Sequence, residues 1–178
     1  MIKFTELLKP EHIRQGLICT SKKRLFEIIT QVIAEQVQFE NAEQFCFECL
    51  LSREKIGNSG LGNGIAMPKA RIPEGKQPLA VFIHLDSPIE YESADHREVD
   101  LILALLIPEK MCEQYISVLP EIAEKLSDKT LCKRLRSAQS VDEIWHIFEN
   151  IDQLNSQQDA QDEHQDNDEA VEYNTTSV

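Results

Sequence analysis

No apolar run in this 178-residue chain reaches the roughly 18 residues that a membrane-spanning helix requires. The longest, residues 101–108, has the length of a buried strand. An export signal is missing too: Met-Ile-Lys-Phe-Thr-Glu has no apolar core followed by small cleavage residues, so a cytoplasmic location is expected. Five cysteines, Cys19, Cys46, Cys49, Cys112 and Cys132, form an odd set without such a signal, which argues against a disulfide framework. Cys46 and Cys49 spell C-x-x-C, but no second ligand pair lies at metal spacing and the segment reads as mid-helix. They read as packing residues, and no cofactor is expected. Aromatics are only 6% of the chain and no basic stripe interleaves with them, which disfavours nucleic acid as a partner.

Positive charge is scarce as well. The formal net charge is −13, and residues 152–178 supply eight of the 31 acidic residues and none of the 18 Lys and Arg. Rich in Gln, Asn and Ser, that stretch has too little apolar surface to offset chain entropy. The expected organisation is therefore one domain over residues 1–151 and an acidic disordered tail over 152–178. The tail's simplest role is solubility; a sharper one is to fold back on Arg53, Lys55 and Lys69 and compete with an acidic partner. The rest, 42% hydrophobic and 28% charged overall, is enough for one globular core.

Glycine is equally sparse, and its placement is informative. Four of the six glycines fall in Arg-Glu-Lys-Ile-Gly-Asn-Ser-Gly-Leu-Gly-Asn-Gly-Ile-Ala-Met-Pro-Lys, which runs from Arg53 to Lys69. Glycines at 57, 60, 62 and 64 admit positive φ and close approach of a ligand or partner. Such a loop can turn several N–H groups toward one anion, with Arg53 placed for a bidentate contact. Two nucleotide motifs are excluded: there is no Gly-Lys-Ser/Thr ending, and Gly60, Gly62 and Gly64 are spaced G-x-G-x-G, not G-x-G-x-x-G. The candidate anion- or partner-binding set is Arg53, Ser59, Gly60, Gly62, Asn63, Gly64 and Lys69.

Apolar periodicity places a helix from an N-cap at Ser21 to about residue 37, with Leu25, Ile28, Ile29, Val32 and Ile33 on one face. A second helix, residues 42–52, turns Phe45, Cys49 and Leu50 inward and delivers Arg53 at its C-terminal end, where cations suit the helix dipole. Residues 79–85 and 99–107 read as strands, the latter central and covered on both faces. His84 and His96 read as strand and loop surface. A helix over 111–126 contains Pro120, which costs about 3 kcal/mol in a straight helix, so a kink is expected near Ile116. Residues 128–138 and 141–149 close the domain as helices anchored by Trp145 and Phe148. The fold class is α/β, a small mixed β-sheet flanked by helices on both faces, with the loop bearing Lys69 at one sheet edge.

The run from Leu51 through Pro68, with Val99-Asp100-Leu101-Ile102-Leu103-Ala104-Leu105-Leu106-Ile107-Pro108 and Leu126-Ser127-Asp128-Lys129-Thr130, resembles the mannitol/fructose-type IIA family of the bacterial phosphotransferase system, and within it the nitrogen-regulatory branch. The resemblance covers about residues 4–150 and implies the same α/β sandwich. It also implies a histidine after Gly-Ile-Ala-x-Pro that accepts a phosphoryl group from a phosphocarrier protein; that position is Lys69. The family's second active-site histidine, early in the helix after the Leu-Leu-Ile-Pro strand, corresponds to Tyr115.

An imidazole with pKa near ~6.5 offers a lone pair at neutral pH, whereas a lysine amine with pKa about 10.4 is neutral in roughly one molecule in two thousand. A reactive Lys69 would need a pKa depressed by burial beside other cations. Lys69 instead matches the unphosphorylated charge state and opposes the phosphorylated one. The leading reading is a regulator that binds proteins in a dephospho-like state, the resemblance implying a transporter, a sensor kinase or the phosphocarrier protein. The alternatives are an active phosphocarrier and a small-anion sensor using Arg53, Lys69 and loop amides.

Overall fold

The computed structural model describes residues 2–37, 39–73, 75 and 77–173, with side chains through residue 162. The central element is β6 (Val99–Pro108), whose run of Leu and Ile is buried almost throughout. A strand this apolar has no solvent face and must sit inside a sheet covered on both sides. It pairs antiparallel with β5 (Leu79–Ile89), which pairs parallel with the edge strand β1 (Ile13–Leu17). On its other side β6 pairs parallel with two short strands in one register, β3 (Ile65–Ala66) opposite Leu101 and Ile102, and β4 (Lys69–Ile72) opposite residues 105–108. Pro68, with no N–H to donate, separates them. The six-stranded mixed sheet is completed by β2 (Gly60–Gly62), antiparallel to β3.

Alternation along β6 assigns each face its helices. Leu101, Leu103 and Leu105 pack with Phe4, Phe82, Ile122, Leu131, Leu135, Ile144 and Phe148, the layer of α1 (Phe4–Leu7), α5 (Val118–Leu126), α6 (Lys129–Ser137) and α7 (Val141–Tyr173). Ile102, Ala104 and Leu106 pack with Leu25, Phe26, Ile29, Cys46 and Leu50, from α2 (Lys22–Ala34) and α3 (Ala42–Ile56). The expected α/β sandwich is the observed fold.

Ser21 caps α2, its hydroxyl accepting from the Arg24 N–H at 3.1 Å, and Asp128 caps α6 by accepting from Leu131 N–H at 2.8 Å. The helix containing Pro120 is broken as its sequence requires. α4 (Cys112–Tyr115) stops, Ile116 and Ser117 intervene, and α5 restarts at Val118, which puts the proline in a first turn where no N–H partner is lost. Phe148 is fully buried and Trp145 partly so. His84 is half-buried on β5, its Nδ1 accepting from Gly16 N–H at 3.3 Å, and His96 is an exposed loop residue at φ 58°.

Two expectations need correction. The buried face of α3 is Ala42, Cys46 and Leu50, while Phe45 is 39% exposed and Cys49 only half-buried. The hydrophobic count on this helix was ambiguous about which apolar residues face the sheet. Second, α7 does not end near Glu149 but runs to Tyr173, past residue 152. Asp152 is only 5% exposed, and its carboxylate accepts from the N–H groups of Phe4 and Thr5 at 2.9 Å each and from the Thr5 hydroxyl at 2.7 Å. It satisfies the open N-terminus of α1, work that composition does not reveal. Residues 174–178, and the side chains beyond 162 needed for a return onto Arg53, Lys55 and Lys69, lie outside the described residues. Asp152→Ala leaves these donors unmet and is expected to cost about 2–3 kcal/mol, read by urea denaturation.

Candidate functional site

Lys69 opens β4, and strand alternation turns Lys69 and Arg71 one way while Ala70 and Ile72 go into the core. The last turn of α3 brings Arg53 to the same place, and Gly57 ends the helix. Between α3, β4 and the α4–α5 break lies an open cleft of about 680 Å³, lined by Arg53, Lys69 and Arg71 together with Phe45, Glu48, Cys49, Ser52, Ile56, Ile107, Cys112, Ile116 and Leu119. Its rim is apolar and wet: Ile56 is 83% exposed and Ile116 68%. Three cations and a single carboxylate, Glu48, therefore share one mostly apolar depression. Burial, helped by the neighbouring Arg53 and opposed by Glu54, holds the Lys69 amine below the ordinary lysine value.

Behind the cleft, the glycine segment is stitched to the protein by its own polar groups. Ser59 N–H donates to Glu54 Oε1 at 2.9 Å, and the same carboxylate holds Lys22 Nζ at 2.6 Å. The Lys22 ammonium stands 4.1 Å above the Tyr91 ring, and the hydroxyls of Ser59 and buried Tyr91 share a 2.7 Å hydrogen bond. Asn58 Nδ2 donates to the carbonyl of Tyr91 at 2.8 Å, while its Oδ1 accepts from Gly60 N–H at 2.8 Å. Asn63 N–H donates to Asp95 at 2.9 Å. The amides of Ser59, Gly60 and Asn63, expected to converge on an anion, are thus committed internally, two of them to carboxylates.

The seven candidate residues consequently divide. Arg53 and Lys69 meet in the cleft. Ser59 and Gly60 brace the layer behind it, where a Cβ on Gly60 would collide with the Ser93 hydroxyl. Gly62, Asn63 and Gly64 form the β2–β3 turn at the other end of β6, where the carbonyl of Gly64 accepts from Asp100 and Leu101 N–H at 3.0 and 3.1 Å. There Arg136 Nη2 donates to the Asn63 carbonyl at 2.8 Å and the guanidinium grips Asp100 with contacts of 2.8–3.1 Å. Tyr115 does not line the cleft; it packs on the α1/α5–α7 layer, and burial followed by Glu6 raises its phenol. Cys112, Ile116 and Leu119 face the cleft instead. Sequence reasoning missed these, and also Phe45, Ile56 and Arg71. The signal present was the two-residue spacing of Lys69 and Arg71 and the exposed helical row of Phe45, Cys49, Ser52 and Ile56.

No histidine lines this cleft among the described residues, and no cluster of three or more His, Cys, Asp or Glu that could hold a metal occurs among them. Burial followed by Glu48 pushes the Cys49 thiol up, away from the thiolate a nucleophile needs. The arrangement is chemically suited to hold an anion beside apolar surface.

Residues 6–151 match the family described as the phosphoenolpyruvate-dependent sugar phosphotransferase system, EIIA 2. The chain is 60% identical over 154 residues to a nitrogen regulatory protein homolog from Haemophilus influenzae, covering 85% of this chain and 94% of that protein. It is 38% identical over 148 residues to the nitrogen regulatory protein of Escherichia coli, covering 83% and 90%. The crystal structure of the nitrogen regulatory protein IIA-Ntr from Neisseria meningitidis superimposes with a TM-score of 0.74 at 34% identity, over 80% of this chain and 97% of that one. The protein belongs to the EIIA 2 family of the phosphotransferase system. Within it, the chain is similar to the nitrogen regulatory proteins.

The depressed Lys69 has a direction that can be measured. The native state disfavours the charged amine, so the unfolded chain binds this proton more readily and stability rises with pH between the lowered native value and 10.5. Lys69→Met is expected to be more stable than the parent at neutral pH, with the difference closing toward pH 10.5, read by chemical denaturation across that range. At the far turn, Gly64 adopts φ +81°, and an added Cβ would stand 2.7 Å from Arg136 Nη2 and 3.0 Å from Asp100 Oδ1. Gly64→Ala is expected to lose about 1–3 kcal/mol, seen as a lower urea midpoint.

Proposed function

We propose that this protein is a regulator of the nitrogen-regulatory IIA type that binds other proteins through the Lys69 cleft and does so without a phosphorylation switch, in the cytoplasm. The observation that carries the reading is Lys69 itself: an amine, half-buried beside Arg53, at the position where the family resemblance implies a phosphohistidine. A phosphorylated imidazole would bring close to two negative charges to this wall, whereas Lys69, Arg53 and Arg71 keep it cationic. A depressed lysine remains a poor phosphoryl acceptor, since the described cleft offers no general base beyond Glu48, a residue on the opposite helix. The exposed Phe45, Ile56 and Ile116 supply the apolar area that protein partners desolvate, and the cations select a partner whose contacting surface carries carboxylates. Transporters, sensor kinases and the phosphocarrier protein are the partner classes to try.

The test combines phosphotransfer with capture. Incubated with phosphoenolpyruvate, enzyme I and the phosphocarrier protein, the native chain is expected to show no phosphoryl adduct by intact mass spectrometry, and Lys69→His to gain one. In pull-downs, Lys69→Glu is expected to weaken partner capture by about tenfold, the consequence of placing a like charge against an acidic surface. A phosphoryl group on the unmodified chain would overturn the proposal.

A further inference from the structure

The Leu126-Ser127-Asp128-Lys129-Thr130 motif plays no part in the Lys69 cleft, yet it opens a second cavity. At the Val99 end of β6, a hollow of about 490 Å³ is lined by Arg97, Lys129, Lys133, Arg136, Asn63 and Ser127, over a floor that includes Ile65 and Cys132. Four cations on one hollow are unusual in a chain whose net charge is −13.

α6 breaks one local rule to build this wall. Lys129 occupies its first helical position, directly after the N-cap Asp128 whose carboxylate suits the helix dipole. Lys129, Lys133 and Arg136 then follow at spacings of four and three, so like charges stack on one helical face. Lys22, Arg24 and Lys125 pair with Glu54, Glu27 and Glu121. Here Asp100 is taken by Arg136, and Asp95 accepts from the backbone of Asn63 and Arg97. Lys129 and Lys133 are exposed and have no carboxylate or hydrogen-bond partner among the described residues. Arg136 is pre-positioned, its fork fixed by Asp100 and by the carbonyl of Asn63, and Arg97 Nη1 lies 3.4 Å from Asn63 Oδ1. A sequence that keeps such repulsion in an otherwise self-consistent helix keeps it for something.

From this we infer that the hollow between α6 and the Asn63 turn is a binding site for a dianionic phosphoryl group, either free phosphate or the phosphate of a small metabolite. The ammonium groups of Lys129 and Lys133, with no carboxylate at salt-bridge distance among the described residues, match the dianion's charge, and Nη1 of Arg136 remains to donate once its Nε and Nη2 are taken by Asp100 and Asn63. The volume exceeds what a bare ion occupies, leaving room for an organic moiety against the Ile65 and Cys132 floor. The site stands apart from the cleft of the proposed function and does not depend on it.

Amide chemical shifts of the full chain, followed while inorganic phosphate is titrated at fixed ionic strength, test the assignment. Saturable shifts at residues 129–137 and at Asn63 are expected, weakened about tenfold in the Lys129→Gln/Lys133→Gln double variant and by a smaller factor in Lys133→Gln alone. They are expected to survive in Lys69→Gln. Phosphate is also expected to raise the melting temperature of the parent but not of the double variant, which should be at least as heat-stable as the parent without ligand. A second titration with adenosine monophosphate separates the sources: tighter binding than phosphate assigns a phosphorylated metabolite, equal or weaker binding the free ion, and either supports the site. No saturable shift with either probe, shifts that the double variant leaves unchanged, or loss of the α6 shifts in Lys69→Gln would overturn the inference.

Discussion

Strand β6 is dry on both faces from Leu101 to Leu106, so its peptide groups have no water to turn to and must be met by neighbouring strands. β5 satisfies one side over seven registered pairs, and the short β3 and β4 satisfy the other in one continuous register interrupted only at Pro68. Leu105 N–H donating to the Pro68 carbonyl at 2.9 Å bridges that gap. The placement of both cationic hollows follows. Because Lys69 lies opposite Leu105 and Ile65 opposite Leu101, the cationic cleft and the Asn63 turn are fixed at opposite ends of one rigid edge.

Charge is distributed with the same economy. The chain is acidic overall, yet seven of its 18 Lys and Arg line two hollows where the sheet edge meets a helix: Arg53, Lys69 and Arg71 at one end, Arg97, Lys129, Lys133 and Arg136 at the other. Between them the buried layer of Tyr91, Ser59, Glu54 and Lys22 is fully paired. The contrast separates structural polar groups from those facing outward with their charge unmet. It also accounts for the internal hydrogen bonds that tie Ser59, Gly60 and Asn63 of the glycine-rich segment into the fold.

How far the sequence could be read depended on whether a residue's neighbours were close along the chain. The cap at Ser21, the double-sided burial of residues 99–107 and the helix break ahead of Pro120 are local effects, and each is legible in the sequence. Arg53 and Lys69 can be named together because they bound the glycine-rich segment along the chain. What was hidden was contact at long range. Asp152 looks like the first residue of an acidic tail until Phe4 and Thr5, 148 and 147 positions away, are found donating to it. Asn63 and Gly64 look like phosphate-loop residues until Arg136 is seen against them. Phe45 was assigned inward because apolar residues usually are, whereas three-dimensional packing gave that place to Cys46 and left the ring on the cleft wall.

The Asp152 clamp has a consequence for architecture. It binds the start of the fold to residue 152 beside β1, the strand at the opposite margin of the sheet from β4. The first turn of the fold is therefore tied to the middle of α7, which continues to Tyr173. Loosening either element releases the other, so α1 and this stretch of α7 open as one unit.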